Sequence, residues 1–418
     1  MINKEYLIKL ISKNIRKDEI LNPFSTILKK QRLNKNYTLE ETSYGICSVS
    51  YLCKLENGLI EPREEYVERL FEKLDLNYQD FSAFEDNNLL DDTFNAYYHN
   101  DYQKVREIVG GIENIYYDND INLCKAMLFI VNGDLDSARV FLDSVDSLKN
   151  NLDSRSAFVY ALIYGEVLIR EHRYHDALDY LLPFENSKAS NKYFNNLLLE
   201  NIIISSFHMN DYLRVCAEYE KLNIEYQIGY SNRRKIILLL IKKIVLGLKN
   251  EDVSNDLLTF VNNNNYLNSD YDIYYLSLLG LAKLKKYNEV ITIIEKDGLF
   301  SRSDILALYG YCIYKLDDKS KYLSFMELSN EVIKESDNDQ NYKFIEFLNM
   351  IFINSDKIKF YDRLKFDIIP FSCVFQHNLY NEVYRDVYIE LLESFSKYKD
   401  STIFLKESIG WNLGFIGR

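Results

Sequence analysis

An all-helical fold, in which a short domain of capped helices leads into a long array of helical hairpins, is predicted by three observations. Glycine (14) and proline (4) are scarce in 418 residues, too few for the tight turns of an all-β chain. Helix start and stop signals crowd the stretch from Phe24 to Leu76. Beyond about Phe94 an apolar landmark recurs with a period in the thirties, two helices per unit. The length exceeds one ordinary core. A hydrophobic fraction of 47% is that of a folded chain, and 35 Tyr and 24 Phe supply bulk for packing helices together.

Four segments follow: an arm (1–22), a capped domain (23–80), a linker (81–93) and the array (94–418). The arm reads three ways, as a basic extension carrying Lys4, Lys9, Lys13, Arg16 and Lys17, as a dimer contact, or as a frayed end. FSTILKKQRLNKN is a basic amphipathic helix with Phe24, Ile27 and Leu28 on its apolar side. Thr38 and Glu41 have the spacing of a capping box for a second helix, which Gly45 ends. Ser48 is a natural N-cap for VSYLCKLE, and Asn57-Gly58 closes that helix with a residue able to take positive φ. Pro62 opens the next helix, with Tyr66, Val67, Leu70, Phe71 and Leu74 at helical spacing.

The run TLEETSYGICSVSYLCKLENGLIEP resembles the Cro/phage-repressor class of helix-turn-helix domains, the XRE family, over roughly 55 residues, the size of such a module; its Glu-Asn-Gly ending is the most telling part. The resemblance implies a five-helix domain whose third helix enters the major groove. It places Ser48, Val49, Ser50 and Tyr51 at the start of that recognition helix as base readers. Hydroxyls can donate or accept at base edges, and Val49 can meet a thymine methyl. Lys54, Lys29, Lys30 and Lys35 suit phosphate. Ser48 reads equally as a cap alone, and Tyr51 as a residue packed on its own domain. Leu39 stands where the class often has a DNA-touching Gln. Arg32 and Glu56 match the class's internal ion pair, and with Gly58 they are structural.

The formal charge of −13 is uneven. Residues 1–80 carry 13 basic and 13 acidic side chains, so the remainder holds 37 against 50 and repels phosphate. A nucleic-acid contact therefore belongs at the N-terminal end.

The landmark of the array is an aromatic or leucine after a polar turn, an aliphatic or alanine three residues on, and a large apolar residue seven on. It occurs at Tyr102/Val105/Val109, Leu135/Ala138/Leu142, Tyr174/Ala177/Leu181, Tyr212/Val215/Tyr219 and Tyr287/Val290/Ile294, with Asn250/Val253/Leu257 filling the double gap. The pattern resembles tetratricopeptide repeats. AFVYALIYGEVLIREHRYHDALDYLLPF is the best copy, with Gly165 where two helices must approach closely. Stacking about six to eight such hairpins makes a right-handed α-solenoid whose first helices line a concave face. The rhythm fades after Lys343.

A Cro-type domain fused to degenerate repeats resembles the peptide-pheromone receptor-regulators of Gram-positive bacteria, the RRNPP group. YGICSVSYLCKLENG and NNLLLENIIISS are similar to stretches of its PlcR branch. The resemblance implies a cytoplasmic homodimer that binds a short signalling peptide in the repeats and a palindromic operator through its heads. It carries over Asn201 as a contact to the peptide backbone, with Asn196 and Glu200 as weaker additions. An asparagine amide offers one acceptor and two donors, which suits a peptide backbone.

Nothing points to catalysis, a cofactor or a metal. The six cysteines are scattered without a CxxC pair, no phosphate-cradling or nucleophile-elbow motif occurs, and His172 and His175 straddle a turn. No apolar run is long enough for a membrane span. The expected function is a peptide-controlled DNA-binding regulator. The rivals are a regulator whose repeats take a protein partner and a helical scaffold that binds no DNA.

Overall fold

A computed structural model describes residues 2–12, 23–60, 63–76, 89–110, 112, 119–187, 191–223, 232–249, 253–262, 271–332, 340–353, 356–374 and 378–412. Among them every regular element is helical and no strand occurs. The chain divides into two compact units. One comprises Met1–Leu168, Asp179–Asn201 and Ile228–Ser231; the other comprises Ile169–Leu178, Ile202–Gln227 and Asn232–Arg418.

Within the first unit, the capped domain consists of helices Pro23–Asn34, Leu39–Ser43, Val49–Glu56 and Glu64–Lys73. A fifth helix would fall after Leu76, outside the described residues, as do Pro62 and the side chain of Phe24. The start signals act as their spacing predicts. Thr38 Oγ1 accepts the Glu41 N–H while the Glu41 carboxylate accepts the Thr38 N–H, and Ser48 Oγ accepts the Tyr51 N–H. Gly45 and Gly58 hold φ of +75° and +67°, a region that costs a residue with a Cβ. The domain's core joins Ile27, Leu28, Leu52, Leu55, Val67, Leu70, Phe71 and Leu74.

The array begins earlier than the sequence suggests. Residues 89–93 are not linker but the first turns of helix Leu89–Tyr98, because Leu90, Thr93, Phe94 and Tyr97 form one buried stripe. Second helices start on the landmark residue itself at Tyr102–Gly110, Leu135–Ser147, Tyr174–Leu181, Tyr212–Lys221 and Tyr287–Asp297. The turn before each of them is the same. The residue two before the landmark takes positive φ at Asn100, Gly133, His172, Asn210 and Lys285. At three of these turns its side chain also meets the landmark hydroxyl: Tyr102 donates to Asn100 Oδ1 (2.8 Å), Tyr212 donates to Asn210 Oδ1 (2.5 Å), and His172 Nδ1 bonds Tyr174 Oη (2.9 Å). Asp134 and Asp211 then cap the second helices through the N–H groups of Ser137 and Arg214. The landmark at Asn250 is displaced by one turn. The helix there is Ser254–Asn262, buried through Leu257 and Val261, and Asn250 lies outside the described residues.

Hairpins continue past the last landmark, Tyr287/Val290/Ile294, with first helices Ser303–Leu316, Gln340–Phe352 and Asn378–Ser394. Among the described residues this makes nine hairpins, not six to eight. Glycine works here by absence of bulk. A Cβ on Gly165 would lie 2.7 Å from Leu181 Cδ2, and one on Gly310 would lie 2.5 Å from the Phe325 ring. No described helix is long and apolar enough to cross a membrane.

Candidate functional site

In the capped domain, helix Val49–Glu56 exposes Ser48, Val49, Ser50 and Lys54 together at its start and outer face. Tyr51 is turned to its own domain. Its hydroxyl accepts the Arg63 N–H at 2.9 Å, and its ring meets the Tyr66 edge at 5.2 Å. The lysines differ in their surroundings. Lys29 donates to Asn57 Oδ1 (3.2 Å), Lys35 pairs with Asp75, and burial lowers the Lys30 ammonium pKa. Leu39 packs on the domain core. Beneath the exposed face, Arg32 forks onto Glu56, with Nε to Oε1 at 2.7 Å and the second nitrogen to Oε2 at 2.8 Å. Both are buried, and the bond to Glu56 raises the Arg32 pKa despite desolvation. Arg69 and Lys73 went unnoticed in the sequence. They donate to the carbonyls of Gly45 and Tyr44 at 2.8 and 3.0 Å, so basic residues of helix Glu64–Lys73 brace the turn between helices Leu39–Ser43 and Val49–Glu56.

The first unit's hairpins hold the other expected residues. Asn196, Glu200 and Asn201 sit on helix Lys192–His208, each only 1% exposed. Tyr98, on helix Leu89–Tyr98, joins two of them: its hydroxyl donates to Glu200 Oε1 at 2.7 Å and accepts from Asn196 Nδ2 at 3.3 Å. Apolar rings reinforce this crossing, with Phe94 on Phe194 at 4.5 Å and Phe158 on Phe194 at 6.1 Å. Sequence reasoning missed Tyr98 because its partners lie about a hundred residues on.

Several buried polar atoms around this crossing have no hydrogen-bond partner among the described residues: Thr93 Oγ1, Asn95 Oδ1, Asn122 Nδ2, Asn196 Oδ1 and Asn201 Nδ2. They lie on helices Leu89–Tyr98, Asn119–Val131 and Lys192–His208, the first helices of their hairpins. Leaving such atoms unmet in the interior costs about 1–3 kcal/mol each. Arg155 braces the neighbouring helix starts, reaching Asp91 at 3.2 Å and Asp120 at 2.6 Å. Although desolvation opposes it, the Arg155 pKa is raised by these acids and Asp153.

The second unit contains an open cleft of about 250 Å³ between Tyr314, Met350, Phe360, Val387 and Leu391, and none of the expected site residues lines it. Its landmark turns also gather a lysine. Lys283 donates to Asn210 Oδ1 (3.2 Å) and Tyr212 Oη (3.5 Å) over the Phe207 ring, and burial pushes its pKa down to about 8 against the attraction of Glu382. Among the described residues no group of three or more His, Cys, Asp or Glu is placed to hold a metal ion.

No family model matches the chain, and no curated protein matches it. Among solved structures it is similar to the apo form of the quorum sensor NprR from Bacillus thuringiensis, at 16% identity and TM-score 0.42, over 80% of this chain and 99% of that one. It is also similar to the SHP pheromone receptor Rgg2 of Streptococcus dysgalactiae, at 16% identity and TM-score 0.27, over 62% and 99%. A third is Bacillus thuringiensis PlcR in complex with the peptide PapR7 and DNA, at 12% identity and TM-score 0.25, over 79% and 97%.

Proposed function

We propose that this chain is a DNA-binding regulator whose hairpin array binds a short peptide. The observation that carries the reading is the set of buried, unpartnered amide and hydroxyl atoms on first helices, centred on Asn196 and Asn201. A peptide backbone supplies an N–H and a C=O at every residue, the complement that such atoms lack. Glu200 is held ready by Tyr98, so a ligand that takes Glu200 and Asn196 displaces the Tyr98 hydroxyl from both. Tyr98 closes the helix that follows residues 77–88, the connection to the capped domain. Ligand binding is thereby coupled to that connection.

The head's part is to read DNA through Ser48, Val49 and Ser50, with Lys54 on phosphate. Two heads of a homodimer would address a palindromic operator with half-sites about 34 Å apart. A coupling of about 1–3 kcal/mol would change operator affinity by roughly 5–150-fold.

Calorimetry with short peptides encoded near the gene tests the first half. The expected result is binding by the intact chain and its loss in Asn201→Ala. Failure of every such peptide, with a protein retained instead, supports a protein-sensing regulator. A gel shift on the gene's own promoter tests the second half. It should be salt-sensitive and abolished by joint replacement of Ser48, Ser50 and Lys54 with alanine; no shift at any salt concentration leaves the scaffold reading.

A further inference from the structure

The N-terminal segment has a seat on the first unit's hairpins. Asn3 Oδ1 accepts the Glu5 N–H at 2.7 Å and caps helix Lys4–Ser12. Ile2 and Leu7 take the two positions of a hydrophobic staple around that cap, and both are 0% exposed. Three polar groups of the arm meet hairpin residues. The Ile2 N–H donates to Tyr160 Oη at 3.2 Å, Lys4 Nζ pairs with Asp179 Oδ2 at 2.7 Å, and the Tyr6 hydroxyl donates to the Lys149 carbonyl at 3.0 Å.

These partners come from three separate elements: helix Ser154–Arg170, helix Tyr174–Leu181 and the turn Lys149–Asn151. Tyr164 packs between two of them, its ring 6.1 Å from Tyr160 and 4.8 Å from Tyr180. The Tyr180 hydroxyl is buried there without a partner. Burial of the two staple residues supplies the attraction, because an exposed ion pair such as Lys4–Asp179 adds little by itself. The pair and the tyrosine hydroxyl set the register.

We propose that this surface is a docking site for a short capped helix of the pattern apolar–Asn–Lys–x–Tyr–apolar, and that its occupant is the chain's own N-terminal segment, bound in cis. Covalent connection keeps the effective concentration of the arm high, so no second copy is required. The seated arm anchors the capped domain to the hairpins before its first helix, in addition to the connection after its last. Lys4 is thereby committed to Asp179 and not to phosphate.

Hydrogen exchange on the full-length chain tests this. Amides of helix Lys4–Ser12 should exchange at least about tenfold more slowly in the native chain than in Leu7→Asp, corresponding to a stability difference of about 1.4 kcal/mol at 25 °C. Lys4→Asp should loosen them and the double variant Lys4→Asp/Asp179→Lys should restore them. Helix Ser154–Arg170 should be equally protected in every variant, which separates arm release from misfolding. A labelled peptide of residues 1–12 should bind the vacated seat of Leu7→Asp and not the native chain. Native arm amides as fast as those of Leu7→Asp, or no peptide binding to that variant, would overturn the site. Arm protection that falls on dilution would overturn the cis assignment and give the seat to a second copy's arm.

Discussion

The capped domain's ion pair and the array's first-helix amides bury polar groups in opposite ways. In the domain the buried charges close on each other. Arg32 meets Glu56 through two hydrogen bonds, and its remaining nitrogen donates to the Tyr37 carbonyl at 2.9 Å. In the array, Lys283 has neutral partners, and first helices bury amide and hydroxyl atoms that bond nothing. The ion pair is therefore part of the domain's own stability. The array's first-helix atoms bond no described residue, and under the proposed function a ligand of matching chemistry would meet them.

Breaking the closed pair has the largest expected effect. Glu56→Ala leaves a buried guanidinium without its carboxylate and should destabilise the domain by about 3–5 kcal/mol in chemical denaturation. A loss below about 1 kcal/mol would mean that the pair behaves as a surface bridge. Gly165→Ala probes the array where apolar packing alone holds two helices. The new methyl meets Leu181 at 2.7 Å, and overpacking of this kind costs about 1–3 kcal/mol. An unchanged melting temperature would show that Leu181 moves aside freely.

Lys283 sharpens the contrast through pH. Its folded pKa, pushed down to about 8, lies below its ordinary value of 10.5. Below pH 8 both states carry the charge, and the folded chain bears the full burial cost. Between pH 8 and about 10 the folded state sheds the proton while the unfolded state keeps it, so stability rises with pH. Lys283→Met should accordingly be more stable than the native chain at pH 7, with the gap narrowing by about 1–2 kcal/mol towards pH 10 once partial exposure is allowed for. A gap that stays constant with pH would refute the lowered pKa.

Thr93→Val tests the unpartnered atoms directly. In most cores this exchange is harmful because the hydroxyl is bonded; here Thr93 Oγ1 bonds nothing. Removing it should leave stability unchanged or raise it by about 1 kcal/mol. A clear loss would mean that the hydroxyl is already satisfied by bound water, and that the inner face is less needy than its geometry indicates.

The parts legible from sequence are those fixed within a few residues. The capping box at Thr38, the cap at Ser48 and the positive-φ turns at Gly45 and Gly58 are local devices, and each stands where its spacing puts it. The landmark was readable for the same reason, since an αL residue, a cap position (Asp101, Asp134 and Asp211 at three of the five turns) and the first helical residue are consecutive. It was lost where local geometry changes. Before helix Tyr322–Val332 a short helical turn, Lys319–Lys321, separates the αL residue Asp317 from the helix start. In the next hairpin a π-helical stretch, Leu364–Ile368, interrupts the 3.6-residue period. Contacts between distant residues left no local trace, which is why Tyr98 on Glu200 and Tyr160 on Ile2 were not anticipated.

Ser48 is where the two uses of a polar group meet on one side chain, and a single substitution can pull them apart. As a cap it accepts the Tyr51 N–H at 3.1 Å; under the proposed function the same exposed hydroxyl would also face DNA. Aspartate caps as well as serine does, so Ser48→Asp should hold stability within about 0.5 kcal/mol. Under the proposed function its negative charge would face phosphate and base acceptors at the start of helix Val49–Glu56, so operator binding should fall at least about tenfold. Ser48→Ala reverses the emphasis, costing about 1 kcal/mol of stability through loss of the cap. Should Ser48→Asp bind the operator as tightly as the native chain, Ser48 is a cap alone, and the reading of DNA passes to Val49, Ser50 and Lys54.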